Sequence, residues 1–196
     1  MSHKKFSLWL CPPVGSDAYS KLDSVIREFA ASLQTPLFSP HATLFSPVRA
    51  NDDRSAMLQV SEYVKRLDDK LGDSIRANGI PVCVCDVATG NMFYQCVLLD
   101  APSSNILEAA NSVARDHWGV ADMPAYYPHV SLVYGEFDQK RLAEIASQVR
   151  DVLPVNIQHE LSFTASEVRV IETVGSCDQW RDIGSVSLTT GEIVYK

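Results

Sequence analysis

Pro40-His41-Ala42-Thr43-Leu44 and Pro128-His129-Val130-Ser131-Leu132 are one pattern written twice in this chain: proline, histidine, a small or branched apolar residue, a hydroxyl, leucine. Each copy opens a stretch that reads as a β-strand, and the copies stand a little under half the chain apart. The chain has five histidines, and two of them fall in this repeated context. Strand geometry gives the spacing its meaning. Side chains alternate faces, so His41 and Thr43 project together, as do His129 and Ser131, while Ala42, Leu44, Val130 and Leu132 turn to the core. Pro40 and Pro128 fit because the first residue of a strand need not donate to the ladder.

Outward from these motifs, strand-like and helix-like segments alternate with short connections. Segment 6–11 reads as a strand. Ser16 caps a helix whose apolar face is Tyr19, Leu22, Ile26, Phe29 and Leu33. After the strand 41–47, Asn51 or Asp52 starts a second helix through Met57, Val60, Val64, Leu67 and Leu71, with Gly72 as its stop. Segments 81–88 and 92–100, on either side of Thr89-Gly90-Asn91, predict a hairpin. Ser103 or Ser104 opens a third helix ending near Gly119, 129–135 is a strand, and Asp138 opens a fourth helix through Leu142, Ile145 and Val149. The remainder, 155–195, alternates like three or four strands with no clear helix. The pattern, roughly eight strands and four helices with antiparallel hairpins and no phosphate-binding Gly-rich turn, predicts an α+β fold.

The 196 residues suit one domain or two closely packed lobes, at 46% hydrophobic and 21% charged. The net charge of −7 counts against binding long nucleic acid, while leaving room for a small anion in a locally positive pocket. No stretch reaches the roughly 20 apolar residues of a membrane helix, and Pro12-Pro13 ends the apolar N-terminal run too early for a signal peptide. A cytoplasmic, monomeric protein is expected. The five cysteines, Cys11, Cys83, Cys85, Cys96 and Cys177, read as free thiols, with Cys83 and Cys85 buried on a strand. His117 reads as a helix-end cation and His159 as a strand-surface residue.

Two imidazoles, each beside a hydroxyl, suit in-line displacement at phosphorus. The attacking and leaving oxygens occupy opposite ends of a trigonal bipyramid, so a base and an acid are needed on opposite sides, and imidazole fills either role near neutral pH. The hydroxyls of Thr43 and Ser131 can donate to the equatorial oxygens, where charge accumulates. A strained five-membered cyclic phosphate needs no metal for this.

At these motifs the chain resembles the two-histidine phosphoesterase superfamily, whose signature is His-x-[Thr/Ser]-hydrophobic occurring twice. Within it the plant and fungal cyclic phosphodiesterases look most similar. Leu8-Trp9-Leu10-Cys11-Pro12-Pro13 is similar to the fungal opening strand, and Thr89-Gly90 with Phe93-Tyr94-Gln95-Cys96-Val97 to a plant segment. Tyr127-Pro128-His129-Val130-Ser131-Leu132-Val133-Tyr134 resembles both branches, and Gln179-Trp180 with Ile183-Gly184-Ser185 the fungal C-terminal strand. The resemblance implies a single bilobal domain over 1–196, with two pseudo-symmetric antiparallel sheets, outer helices and a central cleft. It implies a 2′,3′-cyclic-nucleotide 3′-phosphodiesterase needing neither metal nor cofactor. Its substrates would be nucleoside 2′,3′-cyclic phosphates, giving 2′-phosphates, and ADP-ribose 1″,2″-cyclic phosphate, a by-product of tRNA splicing. The implied catalytic set is His41, Thr43, His129 and Ser131, with His129 as base and His41 as acid, although the residues themselves leave the reverse open. Trp9, Phe93 and Tyr134 are implied to line the pocket. Strand parity puts Tyr134 opposite His129, so it reaches the cleft only where the strand bends or ends.

Other readings are a 2′–5′ RNA ligase-like or RNA-end-processing enzyme, which wants a basic path for a polyanion, and a nucleotide-binding module without turnover, which needs no matched acid and base. A metal-dependent phosphodiesterase would have to recruit Asp52, Asp53 or Asp138, which read better as helix caps.

Overall fold

A computed structural model of the chain describes residues 3–120 and 122–196. Strand β1 (Lys4–Leu10) sends Phe6, Leu8 and Leu10 into the main core and turns Ser7 and Trp9 to the other face. Helix α1 (Asp17–Leu33) starts at Ser16, whose hydroxyl accepts from the Tyr19 amide. Strand β2 (Ala42–Ala50) follows, then α2 (Asp53–Leu71), where Asp52 and Ser55 cap each other reciprocally. Helix α3 (Asp73–Asn78) leads to β3 (Ile80–Val82), β4 (Val87–Thr89), a 3-10 turn at Phe93–Gln95 and β5 (Val97–Asp100). Helix α4 (Asn105–Trp118) is capped by Ser104 and α5 (Gln139–Val152) by Asp138, with β6 (His129–Val133) between them. The chain ends with α6 (Ile157–Leu161), β7 (Phe163–Ala165), β8 (Glu167–Glu172), a 3-10 turn at Cys177–Gln179, β9 (Arg181–Ser187) and β10 (Ile193–Tyr195).

Eight strands form one antiparallel sheet in the order β10-β9-β8-β1-β2-β6-β5-β4, and β3 pairs with β7 in a second, two-stranded sheet. The two lobes are the two halves of the large sheet. They meet edge to edge at β2 and β6 through one registered pair, Ala42 with Val130. Helices α2 and α4 pack against the β2, β8 and β9 half, and α1 and α5 against β6 and β4–β5. The main core lies between these helices and the sheet. A separate cluster on the opposite face joins Trp9, Cys11 and Ile171 with Trp180. The site lies along this face and reaches α4 at one end.

Some expectations need correction. Segment 81–88 is not one strand: β3 joins the small sheet and β4 pairs with β5, and Cys83 and Cys85 in the link between them are exposed rather than buried. All five cysteines are free. The C-terminal stretch does contain a helix, α6, which holds His159. His117 ends α4 but is no free cation, because burial lowers its pKa and its ring bonds the Gln59 carbonyl at 3.1 Å. Among the described residues no helix is long and apolar enough to cross a membrane.

Candidate active site

The seam between β2 and β6 brings the two motifs together. Counting one residue either way from the Ala42–Val130 pair sets His41 level with Ser131 and Thr43 level with His129. All four project to one face, and diagonal positions on such a pair lie about 7–8 Å apart. Beyond the single pair β2 finds other partners. The Thr43 carbonyl accepts from the Tyr126 hydroxyl at 3.1 Å and the Leu44 carbonyl from Asn111 Nδ2 at 2.8 Å. Beside this seam opens a hollow of about 430 Å³ reached by His129 and Ser131. A second, of about 260 Å³, holds His41, Ser7, Trp9 and Trp180. Thr43, Ser46, Tyr94 and Tyr134 line both, so the two hollows adjoin, with His41 lining one and His129 the other.

Both imidazoles are held the same way. His41 Nδ1 lies 2.7 Å from the Ser39 carbonyl and His129 Nδ1 lies 2.8 Å from the Tyr127 carbonyl, in each case two residues upstream across a proline. A carbonyl only accepts, so Nδ1 carries the hydrogen in both rings and Nε2 is the nitrogen left for chemistry. Proline, with its fixed φ, stiffens the link between each carbonyl and its ring. That is a second reason for Pro40 and Pro128, beyond their tolerance at strand starts.

The two rings sit in different surroundings. His41 is 5% exposed and lies flat on the Trp9 indole, whose Nε1 is fixed by the Ser7 hydroxyl at 2.9 Å. Burial pushes the His41 pKa down to about 3; the Ser39 carbonyl works against this, and a charge on His129 adds to it. Burial also lowers His129, but the Tyr127 carbonyl and the Asp100 carboxylate both raise it. The effect of a charge on His129 upon His41 puts the two rings within electrostatic reach of each other.

Thr43 lines both hollows, and Ser131 is buried with its hydroxyl donating to the Tyr94 carbonyl at 2.8 Å. Trp9 is in the cleft as a wall against His41. Tyr134 is also in the cleft, through a bulge. Leu98 pairs with Ser131 and Val97 with Val133, which leaves Leu132 as the extra residue. Leu132 and Val133 then both face the core, and Tyr134 returns to the cleft, stacked on Phe38 at 3.7 Å. Phe93 does not reach the cleft. It lines a separate hollow with Gly90, Cys96 and Gly135, its ring centroid 6.3 Å from that of Tyr134, and the 3-10 turn presents Tyr94 to the cleft instead.

Residues without a sequence-assigned role complete the cleft: Tyr94, Trp180, Tyr126 and Arg115. Arg115 ties down the wall formed by loop 122–127, its Nε bonding Asn111 Oδ1 at 2.7 Å and its Nη atoms the Met123 and Pro124 carbonyls at 3.1 and 2.6 Å. Trp180 stands in the quoted C-terminal segment and Tyr94 beside Phe93, so their aromatic character was the available signal. Arg115 gave none. Asp52 and Asp138 are caps, and Asp53 pairs with Lys4 and Arg181. Among the described residues no group of three or more His, Cys, Asp or Glu side chains is arranged to hold a metal ion.

Residues 4–188 match the family model described as cyclic phosphodiesterase-like protein. The chain is 31% identical over 169 residues to a 2′,3′-cyclic-nucleotide 3′-phosphodiesterase of Eremothecium gossypii, covering 75% of this chain and 74% of that protein. It is 25% identical over 178 residues to the protein of the same name from Saccharomyces cerevisiae, covering 77% of this chain and 74% of that one. To a cyclic phosphodiesterase of Arabidopsis thaliana it is 28% identical over 137 residues, covering 69% and 67%. Among solved structures, E. coli LigT complexed with ATP superposes with a TM-score of 0.57 at 12% identity over 97% of this chain and all of that one (100%). A conserved protein of unknown function from Agrobacterium tumefaciens gives a TM-score of 0.59 at 13% identity, covering 96% and 87%. The structural matches share the fold.

Proposed function

The chain belongs to the cyclic phosphodiesterase-like family of two-histidine phosphoesterases, and from that premise we propose that it hydrolyses small cyclic phosphates with His41 and His129 dividing the proton transfers. The observation that carries the reading is the matched pair of Nδ1–carbonyl bonds, which leaves both Nε2 atoms for chemistry at the seam.

Water attacks phosphorus opposite the leaving oxygen. As the new P–O bond forms, a neutral Nε2 takes the water's proton. As the ring P–O bond breaks, the other, protonated Nε2 gives its proton to the departing oxygen. With a nucleoside 2′,3′-cyclic phosphate the bond to O3′ breaks and the product is the 2′-phosphate. With ADP-ribose 1″,2″-cyclic phosphate the product is the 1″-phosphate. Thr43 and Ser131 serve the equatorial oxygens, Ser131 by turning its hydrogen away from the Tyr94 carbonyl. Tyr94 and Trp180 offer aromatic faces to a ribose or base, while Trp9 and Tyr134, each with one face taken by His41 or Phe38, back the cleft. The net charge of −7 supports a small substrate rather than a long nucleic acid, and with both motifs in one chain the protein works as a monomer.

Phosphorus NMR of the protein with 2′,3′-cyclic AMP tests this. The expected product is 2′-AMP alone. Formation of 3′-AMP would overturn the choice of bond, and no turnover would overturn the function.

A further inference from the structure

Cys83-Val84-Cys85, in the link between β3 and β4, takes no part in the active site: neither cysteine lines either hollow of the cleft. Exposure alternates along this link. Val82 and Val84 are fully buried while Cys83 and Cys85 are exposed, so both thiols leave the chain on the same, solvent-facing side. The backbone that carries them is pinned. The Val84 amide donates to the Ser162 hydroxyl at 3.1 Å and the Cys85 amide to the Asp100 carbonyl at 2.9 Å. The Asp100 amide in turn donates to the Asp86 carbonyl at 2.8 Å, so Cys85 and Asp86 together face one residue of β5, a bulge at the end of the β4 pairing. The other three cysteines, Cys11, Cys96 and Cys177, are buried.

We propose that Cys83 and Cys85 form a two-thiolate site for a soft monovalent cation of the copper(I) class, separate from the phosphodiesterase cleft. Both thiols give their protons to solvent as two metal–sulfur bonds form, leaving an anionic bis-thiolate complex with no change of oxidation state. Asp100 pairs with His129 across β5 and β6, so Cys85 stands two strand spacings, about 10 Å, from the nearer imidazole.

Spacing favours a bridging metal over a disulfide. Residues i and i+2 of an extended chain lie about 6.5 Å apart with their Cα–Cβ bonds parallel, whereas a disulfide draws the Cβ atoms to about 3.8 Å. The amide bonds of Val84 and Cys85 hold the chain against the bend that would close this gap. Two metal–sulfur bonds of about 2.3 Å set end to end need the sulfurs only about 4.6 Å apart, which rotation about Cα–Cβ supplies. Thiolate ligands select copper(I) among the biological metals, and it is content with two of them. A tetrahedral zinc site needs four ligands, and among the described residues no group of three or more His, Cys, Asp or Glu side chains is arranged to hold a metal. Partial desolvation, then the Asp100 carboxylate, hold the Cys85 proton more tightly than usual, and the same carboxylate favours the cation that replaces it.

Two measurements on the full chain test the proposal. In oxygen-free competition against the copper(I) chelator bathocuproine disulfonate, the unmodified protein should retain one copper(I) per chain. Cys83→Ser and Cys85→Ser, each shown by circular dichroism to keep the fold, should each bind it at least ~10²-fold more weakly, because one arm of the chelate is gone. No retained copper, or equal affinity in the two variants, would overturn the proposal. X-ray absorption of the copper(I)-loaded unmodified protein should show two sulfur neighbours. A nitrogen neighbour would move the ion to an imidazole, and a third sulfur would make it a bridge between chains; either result overturns the proposal. Neither measurement needs turnover, so both stand apart from failure of the hydrolytic reading.

Discussion

The imidazole of His41 lies flat against the indole of Trp9, their ring centroids 3.4 Å apart and their planes within 5° of parallel. The stack excludes water from one face of the ring, and burial is the main cause of its lowered pKa. Trp9 is thus both a wall of the cleft and part of what keeps His41 uncharged.

Trp9→Leu keeps an apolar wall but opens the imidazole to solvent. His41 should then titrate closer to the ordinary imidazole value of about 6.5, moving its limb of the kcat/KM profile upward. A fall in kcat of ~10-fold is expected with it. A profile with neither limb moved would dissociate Trp9 from the tuning of His41.

Replacing either histidine by alanine should lower kcat by at least ~10²-fold, the usual contribution of one positioned acid or base. Circular dichroism should show the fold retained in each variant. Near-normal turnover in one variant would remove that residue from the pair.

Stability should fall as the solution is acidified. His41, His117 and His129 all have folded pKa values below the ordinary 6.5, so between that value and the lowered ones the unfolded chain binds more protons. Their contribution is complete above pH 6.5 and is lost as pH falls toward the lowered values, down to about 3 for His41. Thermal melts from pH 7 to pH 4 should show a falling Tm, with a shallower slope in His41→Gln. An equal slope in that variant would place the acid sensitivity elsewhere.

A displacement run by two imidazoles requires no Lewis acid. Hydrolysis of 2′,3′-cyclic AMP should continue in excess EDTA. Loss of turnover with recovery on adding a divalent metal would overturn the mechanism.

Arg115→Gln removes the fork that holds the Met123 and Pro124 carbonyls. The loosened wall should raise KM by ~10-fold with a smaller change in kcat, the signature of lost binding rather than lost chemistry. Steady-state kinetics separates the two, and an unchanged KM would show that the wall does not contact substrate.

The sequence carried the site further than it carried the topology. The repeated motifs named all four seam residues, because period-2 alternation survives in short strands and the His-x-hydroxyl spacing encodes a shared face. Ser16 and Asp138 were legible as caps because capping is local chemistry. The five- and six-residue helices α6 and α3 were too short to print a helical period. Splitting 81–88 between two sheets depends on β7, far along the chain, which no local pattern reports. Tyr134 was ambiguous because one extra residue, Leu132, resets the alternation after Ser131. Phe93 and its neighbour Tyr94 exchanged places because a 3-10 turn follows neither the strand nor the α-helix period.

The Ser39 and Tyr127 carbonyls hold their rings from the main chain, each over a proline. Substitution of a neighbouring side chain can silence one of these imidazoles or alter its charge, but the hydrogen on Nδ1 is dictated by backbone and survives such changes. A designer could therefore lift the unit of carbonyl, proline and histidine onto another strand start and obtain a ring of known tautomer, with no partner side chain to bring along.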